Sequence, residues 1–356
     1  MKNNYSDGSE KALREITEKF PVKTNSYLEK LMESSEGVRK QFMPSLCEAS
    51  EGPKRPWVGK IETGINGFER MYEDRAVIMP TLNCAAYCRH CVRKDYLNKS
   101  KEGMSYEDID KAIGYVKNHS ELREILITGG DPVMAPAKLE DVIKGLRKTD
   151  NISTIRIGSR VISTEPSRIT DDLTEMLKKY NTFEKRIEIS PQFNHPDEIT
   201  SQVKDAVKKL YDANIRLYNQ SVLLKGINDN EKTLETLFVK LRELGIENHY
   251  LYHCAPVEGN YPLRTSVQKG IEIKKYFRSG KLSGRANPQY IVLTPVGKVE
   301  PGIDSEIIGK NKDILTIRTP YKMENFMKID AGFKLPEGCS LDKEGYILSE
   351  YLDGKD

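Results

Sequence analysis

A chain of 356 residues with 38% hydrophobic and 31% charged residues has the composition of a globular protein, long enough for one large barrel or two ordinary domains. Its formal net charge of +3 is too small to argue for nucleic acid or a membrane surface as a partner. The opening Met1-Lys-Asn-Asn-Tyr-Ser-Asp-Gly-Ser-Glu10 has no apolar stretch to act as a signal peptide, and no run of about 18 apolar residues suggests a membrane span.

Residues 1–74 are polar and read as an N-terminal helical extension, with helices expected over Ser9–Phe20 and Ser26–Met32. Glu51-Gly-Pro-Lys-Arg-Pro56 breaks helix and reads as a loop. From Arg75 the pattern changes to alternating strand and helix. Short β-branched or aromatic runs predict strands at Ala76–Leu82, Glu124–Thr128, Thr154–Ile157, Arg186–Ile189, Ile215–Leu224, His249–His253 and Gln289–Leu293. Helices are expected between them. Ser105-Tyr-Glu-Asp108 is a capping box before the stripe Ile109, Ile113, Val116. Thr200 caps a helix that buries Val203, Val207 and Leu210, and Gly245 ends one that buries Leu234, Leu237, Leu241 and Leu244. Repeated strand–helix units with right-handed crossovers make a parallel sheet, here a partial (β/α)6 barrel over residues 75–300. Its functional residues belong at the C-terminal ends of the strands. Residues 301–356 form a C-terminal segment of irregular pattern.

Six cysteines occur, three in one run (Cys84, Cys88, Cys91) and three scattered (Cys47, Cys254, Cys339). This is no disulfide framework; it suits a reducing, cytoplasmic protein with one metal-binding cluster. The run Thr81-Leu-Asn-Cys-Ala-Ala-Tyr-Cys-Arg-His-Cys91 starts where the first barrel strand ends. Three thiolates hold three corners of a four-iron cluster and leave one iron open, the mark of a catalytic rather than a closed site. A zinc site completed by His90 or Cys254 is the competing reading. At the end of the second strand, Gly129 and Gly130 precede Asp131. A glycine pair there lets a backbone approach a ligand closely, or simply makes a tight turn.

The cysteine run, with an aromatic residue (His90) before its third cysteine, resembles the signature of radical S-adenosylmethionine enzymes. Tyr87-Cys-Arg-His-Cys-Val-Arg-Lys94, Leu126-Ile-Thr-Gly-Gly-Asp131, Ile155-Arg-Ile-Gly-Ser-Arg160, Phe193-Asn-His-Pro196 and Asn219-Gln-Ser-Val-Leu-Leu224 follow in an order similar to the lysine 2,3-aminomutase family within that group. Gln41-Phe-Met-Pro-Ser45, Tyr250-Leu-Tyr-His-Cys254 and Arg264-Thr-Ser-Val-Gln-Lys-Gly270 extend the likeness over roughly residues 40–300. The resemblance implies a partial barrel of radical-SAM type. It implies that Cys84, Cys88 and Cys91 bind a 4Fe–4S cluster, and that Gly129, Gly130, Asp131, Ser159, Arg160, His195 and Gln220 contact S-adenosylmethionine or its neighbours. It places Arg93 on a substrate carboxylate, which the planar guanidinium fork suits. The family also implies self-association and a one-electron reductant such as flavodoxin or ferredoxin.

Departures from the family narrow the reading. Its pyridoxal phosphate lysine ends a glycine-rich loop; here the stretch is Leu293-Thr-Pro-Val-Gly-Lys-Val-Glu-Pro-Gly302, with one glycine before Lys298. Arg75 fits a family arginine near the phosphate, but a second such position is Met71. The aspartates that hold lysine's distal ammonium correspond to Ala255 and Leu293, so a buried ammonium would lose its counter-charges. Of the zinc-binding cysteines near the family's C-terminus only Cys339 remains. The expectation is a radical S-adenosylmethionine enzyme whose 5′-deoxyadenosyl radical takes hydrogen from a small, carboxylate-bearing, amino-acid-like substrate other than lysine. Its alternatives are a pyridoxal-phosphate-dependent amino acid 2,3-aminomutase using Lys298, and a non-catalytic zinc protein.

Overall fold

The computed structural model describes residues 7–49, 63–94 and 103–356; the predicted loop Glu51–Pro56 lies outside the described residues. A nine-stranded sheet runs in strict chain order, β1 to β9. Its centre is seven parallel strands, β2 (Arg75–Thr81), β3 (Glu124–Gly129), β4 (Thr154–Ser159), β5 (Arg186–Pro191), β6 (Arg216–Leu223), β7 (Glu247–His253) and β8 (Gln289–Thr294). All seven predicted strands are present, with ends shifted by one or two residues. Short antiparallel strands β1 (Phe68–Arg70) and β9 (Gly297–Val299) close the two edges. Three N-terminal helices precede the sheet: α1 (Asp7–Lys19), α2 (Ser26–Ser34) and α3 (Glu36–Phe42). Crossover helices α4 (Tyr106–Asn118), α5 (Pro136–Arg147), α6 (Asp171–Tyr180), α7 (Ser201–Asp212), α8 (Glu231–Glu243) and α9 (Val267–Tyr276) cover its outer face, giving the expected α/β partial barrel of six strand–helix units.

Strand alternation divides the barrel into a packed outside and a polar inside. Ile125 and Ile127, Ile155 and Ile157, and Ile187 and Ile189 are buried against the helices, each side chain contributing about 1.5–3 kcal/mol when fully removed from water. The intervening residues, such as Glu124, Arg156 and Glu188, are half-buried and share the concave face. Helix ends follow the sequence signals. Ser105 and Asp108 form a reciprocal capping box, Thr200 accepts from Val203 N, and Gly245 takes φ +76° just past α8.

The C-terminal residues form a separate four-stranded antiparallel sheet, in order β10 (Glu306–Asn311), β11 (Ile314–Lys322), β13 (Tyr346–Leu352) and β12 (Cys339–Leu341). An apolar cluster of Val296, Phe326 and Ile347, with Met71 and Tyr321 against it, joins this sheet to the β8–β9 edge. Arg264, buried after β7, donates Nε to Cys254 O (2.9 Å) and Nη1 to Asp353 O (3.3 Å), fastening the chain end to the barrel. No described helix is long and apolar enough to cross a membrane.

Two glycines make opposite predictions. A Cβ on Gly270 of α9 would lie 2.0 Å from the ring of buried Tyr290, so Gly270→Ala should destabilise by about 1–3 kcal/mol and lower the thermal midpoint by a few degrees. Nothing lies within 4 Å of a Cβ on Gly114 of α4, so Gly114→Ala should raise the midpoint through helix propensity. Differential scanning calorimetry of both variants checks the pair.

Candidate active site

The cysteine loop leaves β2 beside the end of β3. Gly130 N donates to Thr81 O (2.8 Å) and Asp131 N to Asn83 O (2.7 Å). Gly129 has φ +123°, and a Cβ there would lie 2.4 Å from Thr81 O; one on Gly130 would lie 2.3 Å from Asn83 O. The close approach these glycines allow is thus to the chain that delivers the cysteines, a use the sequence reading did not anticipate.

Contacts from the N-terminal helices fix the rest of the loop. Tyr87 N donates to Lys23 O (3.0 Å) and Arg89 N to Gln41 O (2.8 Å). Arg89 forks onto Glu48 through Nε (3.0 Å) and Nη2 (2.5 Å), and its Nη1 donates to Phe20 O (2.8 Å). Lys94 Nζ donates to Arg89 O (2.6 Å) and Asn260 Oδ1 (3.1 Å), while Asn260 Nδ2 donates to His90 O (3.1 Å). Burial lowers the Lys94 ammonium to about 8 against the opposing pull of Glu48. Arg89 and Glu48 are 2% and 3% exposed, and breaking such a pair from one side costs about 3–5 kcal/mol.

Cys84, Cys88 and Cys91 are free and partly buried. Arg160 Nη1 donates to Cys88 Sγ (2.7 Å) and Arg93 N to Cys91 Sγ (3.3 Å). Burial, then the neighbouring thiols, pushes Cys91 up to about 11 and Cys84 higher, so deprotonation here calls for a bound cation. Among the described residues no group of three or more His, Cys, Asp or Glu converges on a point able to hold a single metal ion. A four-iron cluster makes a different demand, one thiolate to each of three irons. Three thiols on one loop, two of them receiving N–H donors, fit that group.

The remaining predicted residues divide into two sets. Asp131 accepts from Ser159 Oγ (2.9 Å), Arg160 N (2.7 Å), Val161 N (3.1 Å) and Val133 N (3.1 Å), tying the ends of β3 and β4 together. Burial raises its pKa while these bonds oppose the rise. Arg160 is thereby delivered to Cys88. His195 instead packs against α3, where a Cβ on Gly37 would lie 2.5 Å from its Nε2, and its Nδ1 accepts from Asp197 N (3.3 Å). Gln220 is half-buried on β6, paired in register with Tyr250 of β7. Arg93 lies 3.7 Å from Glu69 of β1, so the guanidinium expected on a substrate carboxylate rests on one of the chain's own.

Lys298 of β9 lies opposite Leu293, with its Nζ 4.6 Å from the Tyr250 ring centroid and 5.7 Å from that of Tyr252. Burial first, then Arg156 and Arg75, lowers its amine to about 7. A neutral amine between aromatic rings suits a Schiff base. The phosphate of pyridoxal phosphate is less well served. Lys298 N donates to Tyr72 Oη (3.0 Å), a Cβ on Gly297 would lie 2.8 Å from the Tyr321 ring, and Met71 packs with the C-terminal apolar cluster. The backbone of this tight hairpin therefore does not fit the glycine-rich phosphate cradle, and no reaction step is assigned to pyridoxal phosphate. Ala255 is buried and Leu293 half-buried, without a carboxylate at either position.

Glu48, Gln41 and Asn260 are the contributors that sequence reasoning missed. Only Gln41 carried a signal, within the Gln41–Ser45 stretch; Glu48 reaches Arg89 across 41 residues.

A half-barrel with three thiols on the loop after the first parallel strand is the architecture of a radical S-adenosylmethionine enzyme, and residues 78–237 match the Radical SAM superfamily. The chain is 34% identical to L-lysine 2,3-aminomutase of Clostridium subterminale over 86% of its length and 73% of the relative's. It is 37% identical to the L-lysine 2,3-aminomutase of Fusobacterium nucleatum over 89% and 80%. It is also 36% identical to glutamate 2,3-aminomutase of Clostridioides difficile over 73% and 62%. The chain belongs to the lysine 2,3-aminomutase-like family of radical S-adenosylmethionine enzymes.

The Lys298 amine gives a signed prediction. The native chain releases this proton near pH 7, whereas an unfolded chain holds it to the usual lysine value of 10.5. Burying Lys298 therefore opposes folding fully below pH 7, and the penalty fades as pH rises toward 10.5. Lys298→Met should unfold at a higher temperature than wild type at pH 7, with the gap closing by about pH 10. Equal midpoints at pH 7 would contradict the assignment.

Proposed function

We propose that this enzyme acts on a small, carboxylate-bearing, amino-acid-like substrate other than lysine. The observation that carries the reading is the interior of the barrel. Arg93 sits two residues beyond Cys91, while Ala255 and Leu293 leave a distal ammonium without a counter-charge. The glutamate 2,3-aminomutase relative shows that family members are not confined to lysine.

Cys84, Cys88 and Cys91 would hold the cluster, which together with S-adenosylmethionine would supply the radical chemistry. The chain's own residues orient and shield the reaction. Asp131 and Ser159 hold the rim between β3 and β4, where the cofactor would lie against Gly129, Gly130 and Arg160, with His195 past the end of β5 and Gln220 within β6. Arg93 grips the substrate carboxylate by exchanging Glu69 for it, one carboxylate for another. Tyr250 and Tyr252 wall the interior beside Lys298, whose amine, neutral or charged near pH 7, can hold or release a proton there. Electrons come from a small one-electron donor such as flavodoxin or ferredoxin, and a cysteine usage with three thiols in one run and three scattered suits a reducing, cytoplasmic setting.

Anaerobic reconstitution with iron and sulfide, then reduction in the presence of S-adenosylmethionine, should yield 5′-deoxyadenosine. Cys84→Ala, Cys88→Ala and Cys91→Ala should each abolish it, and formation at the wild-type rate in any of them would refute the site. A second measurement separates the fate of the substrate radical. After incubation with pyridoxal phosphate and borohydride reduction, peptide mapping should find no label on Lys298. A stoichiometric label would establish a pyridoxal-phosphate-dependent aminomutase instead.

A further inference from the structure

The buried Glu198 carboxylate lies 3.5 Å from Arg160 Nη2, and three further groups hold Arg160. Its Nη1 donates to Cys88 Sγ (2.7 Å) and lies 3.3 Å from His90 Nε2, its Nη2 donates to Gln41 Oε1 (2.6 Å), and its guanidinium stacks 4.7 Å over Phe42. Gln41 is fully buried and its amide is fully used. Oε1 also accepts from Asn194 Nδ2 (3.0 Å), while Nε2 donates to Glu198 Oε1 (2.8 Å) and Gly37 O (3.1 Å). The backbone oxygen of the same residue receives Arg89 N, next to Cys88. Both Gln41 and Phe42 belong to α3, outside the matched residues 78–237.

We infer that Gln41 is a positioning residue that aims Arg160 at the Cys88 sulfur, so that the N-terminal helices set the reduction potential of the cluster. A cationic N–H donor at a ligand sulfur stabilises the electron-rich reduced state and raises the potential. The guanidinium stays charged throughout the working pH range, so its effect depends on where it points. Phe42 supplies the flat surface and Gln41 the fixed acceptor; together they leave one arm of the fork for sulfur. The inference rests on the cluster reading above.

The test is an anaerobic redox titration of the reconstituted cluster, read by electron paramagnetic resonance without S-adenosylmethionine, with iron and sulfide determined on each sample. Arg160→Gln should move the midpoint to a more negative potential. Gln41→Leu should move it the same way by less, and the double variant should match Arg160→Gln alone, because Gln41 acts through Arg160. An unmoved midpoint in Gln41→Leu at wild-type iron content, or a further additive shift in the double variant, overturns the inference. Should Gln41→Leu fail to fold, Arg160→Lys decides. Lysine lacks the flat fork that stacks on Phe42 and meets Cys88 and Gln41 with separate nitrogens, so the variant's midpoint should fall between wild type and Arg160→Gln; a wild-type value refutes the proposal. Failure of the wild-type protein to take up a four-iron cluster would overturn the cluster reading itself, a result distinct from these.

Discussion

A loop that carries three thiols has no sheet ladder of its own to occupy its backbone, so other parts of the chain must supply partners for its N–H and C=O groups. In this molecule they come from three places. Gly130 and Asp131, just past β3, donate to Thr81 and Asn83, Lys23 between α1 and α2 and Gln41 of α3 accept from Tyr87 and Arg89, and Lys94 and Asn260 donate to the carbonyls of Arg89 and His90. The Glu48–Arg89 pair then locks the loop against the first helices. Three thiols held this way meet an incoming cluster with little conformational freedom left to lose. The N-terminal helices are therefore part of the site rather than an appendage to the barrel.

The concave face is electrostatically mixed. Arg156 and Arg75 lower the proton affinity of Lys298 while Glu124 opposes them, and the Tyr250 and Tyr252 rings lie beside the Lys298 amine. This lining favours an anionic group over an extra ammonium, in keeping with the loss of carboxylates at Ala255 and Leu293. In the proposed reading, radical chemistry at the rim and substrate choice on the inner wall reside in different residues.

Much of this was legible in the sequence because it is local. Strands β2 to β8, the capping box at Ser105, the Gly245 stop and the cysteine run all depend on neighbours a few residues apart. In the C-terminal sheet β10 was not legible, since it is exposed on both faces, whereas β11 and β13 do alternate and their pattern was overlooked. Long-range polar pairs were equally silent. Nothing near Glu48 announces Arg89, and nothing near Arg93 announces Glu69; each pairing exists only once the barrel has brought separate strands and helices together. The glycine pair at 129–130 was noticed for the right reason, close backbone approach, but its partner proved to be the chain itself.

The central claim is that the loop presents three thiolates to a four-iron cluster and leaves its fourth iron open. Mössbauer spectroscopy of protein reconstituted with iron-57 addresses it directly, recorded before and after addition of S-adenosylmethionine. The account predicts one iron whose parameters separate from the other three on addition. A cluster whose four irons stay indistinguishable, or a protein that binds a single metal ion in place of a cluster, would contradict it.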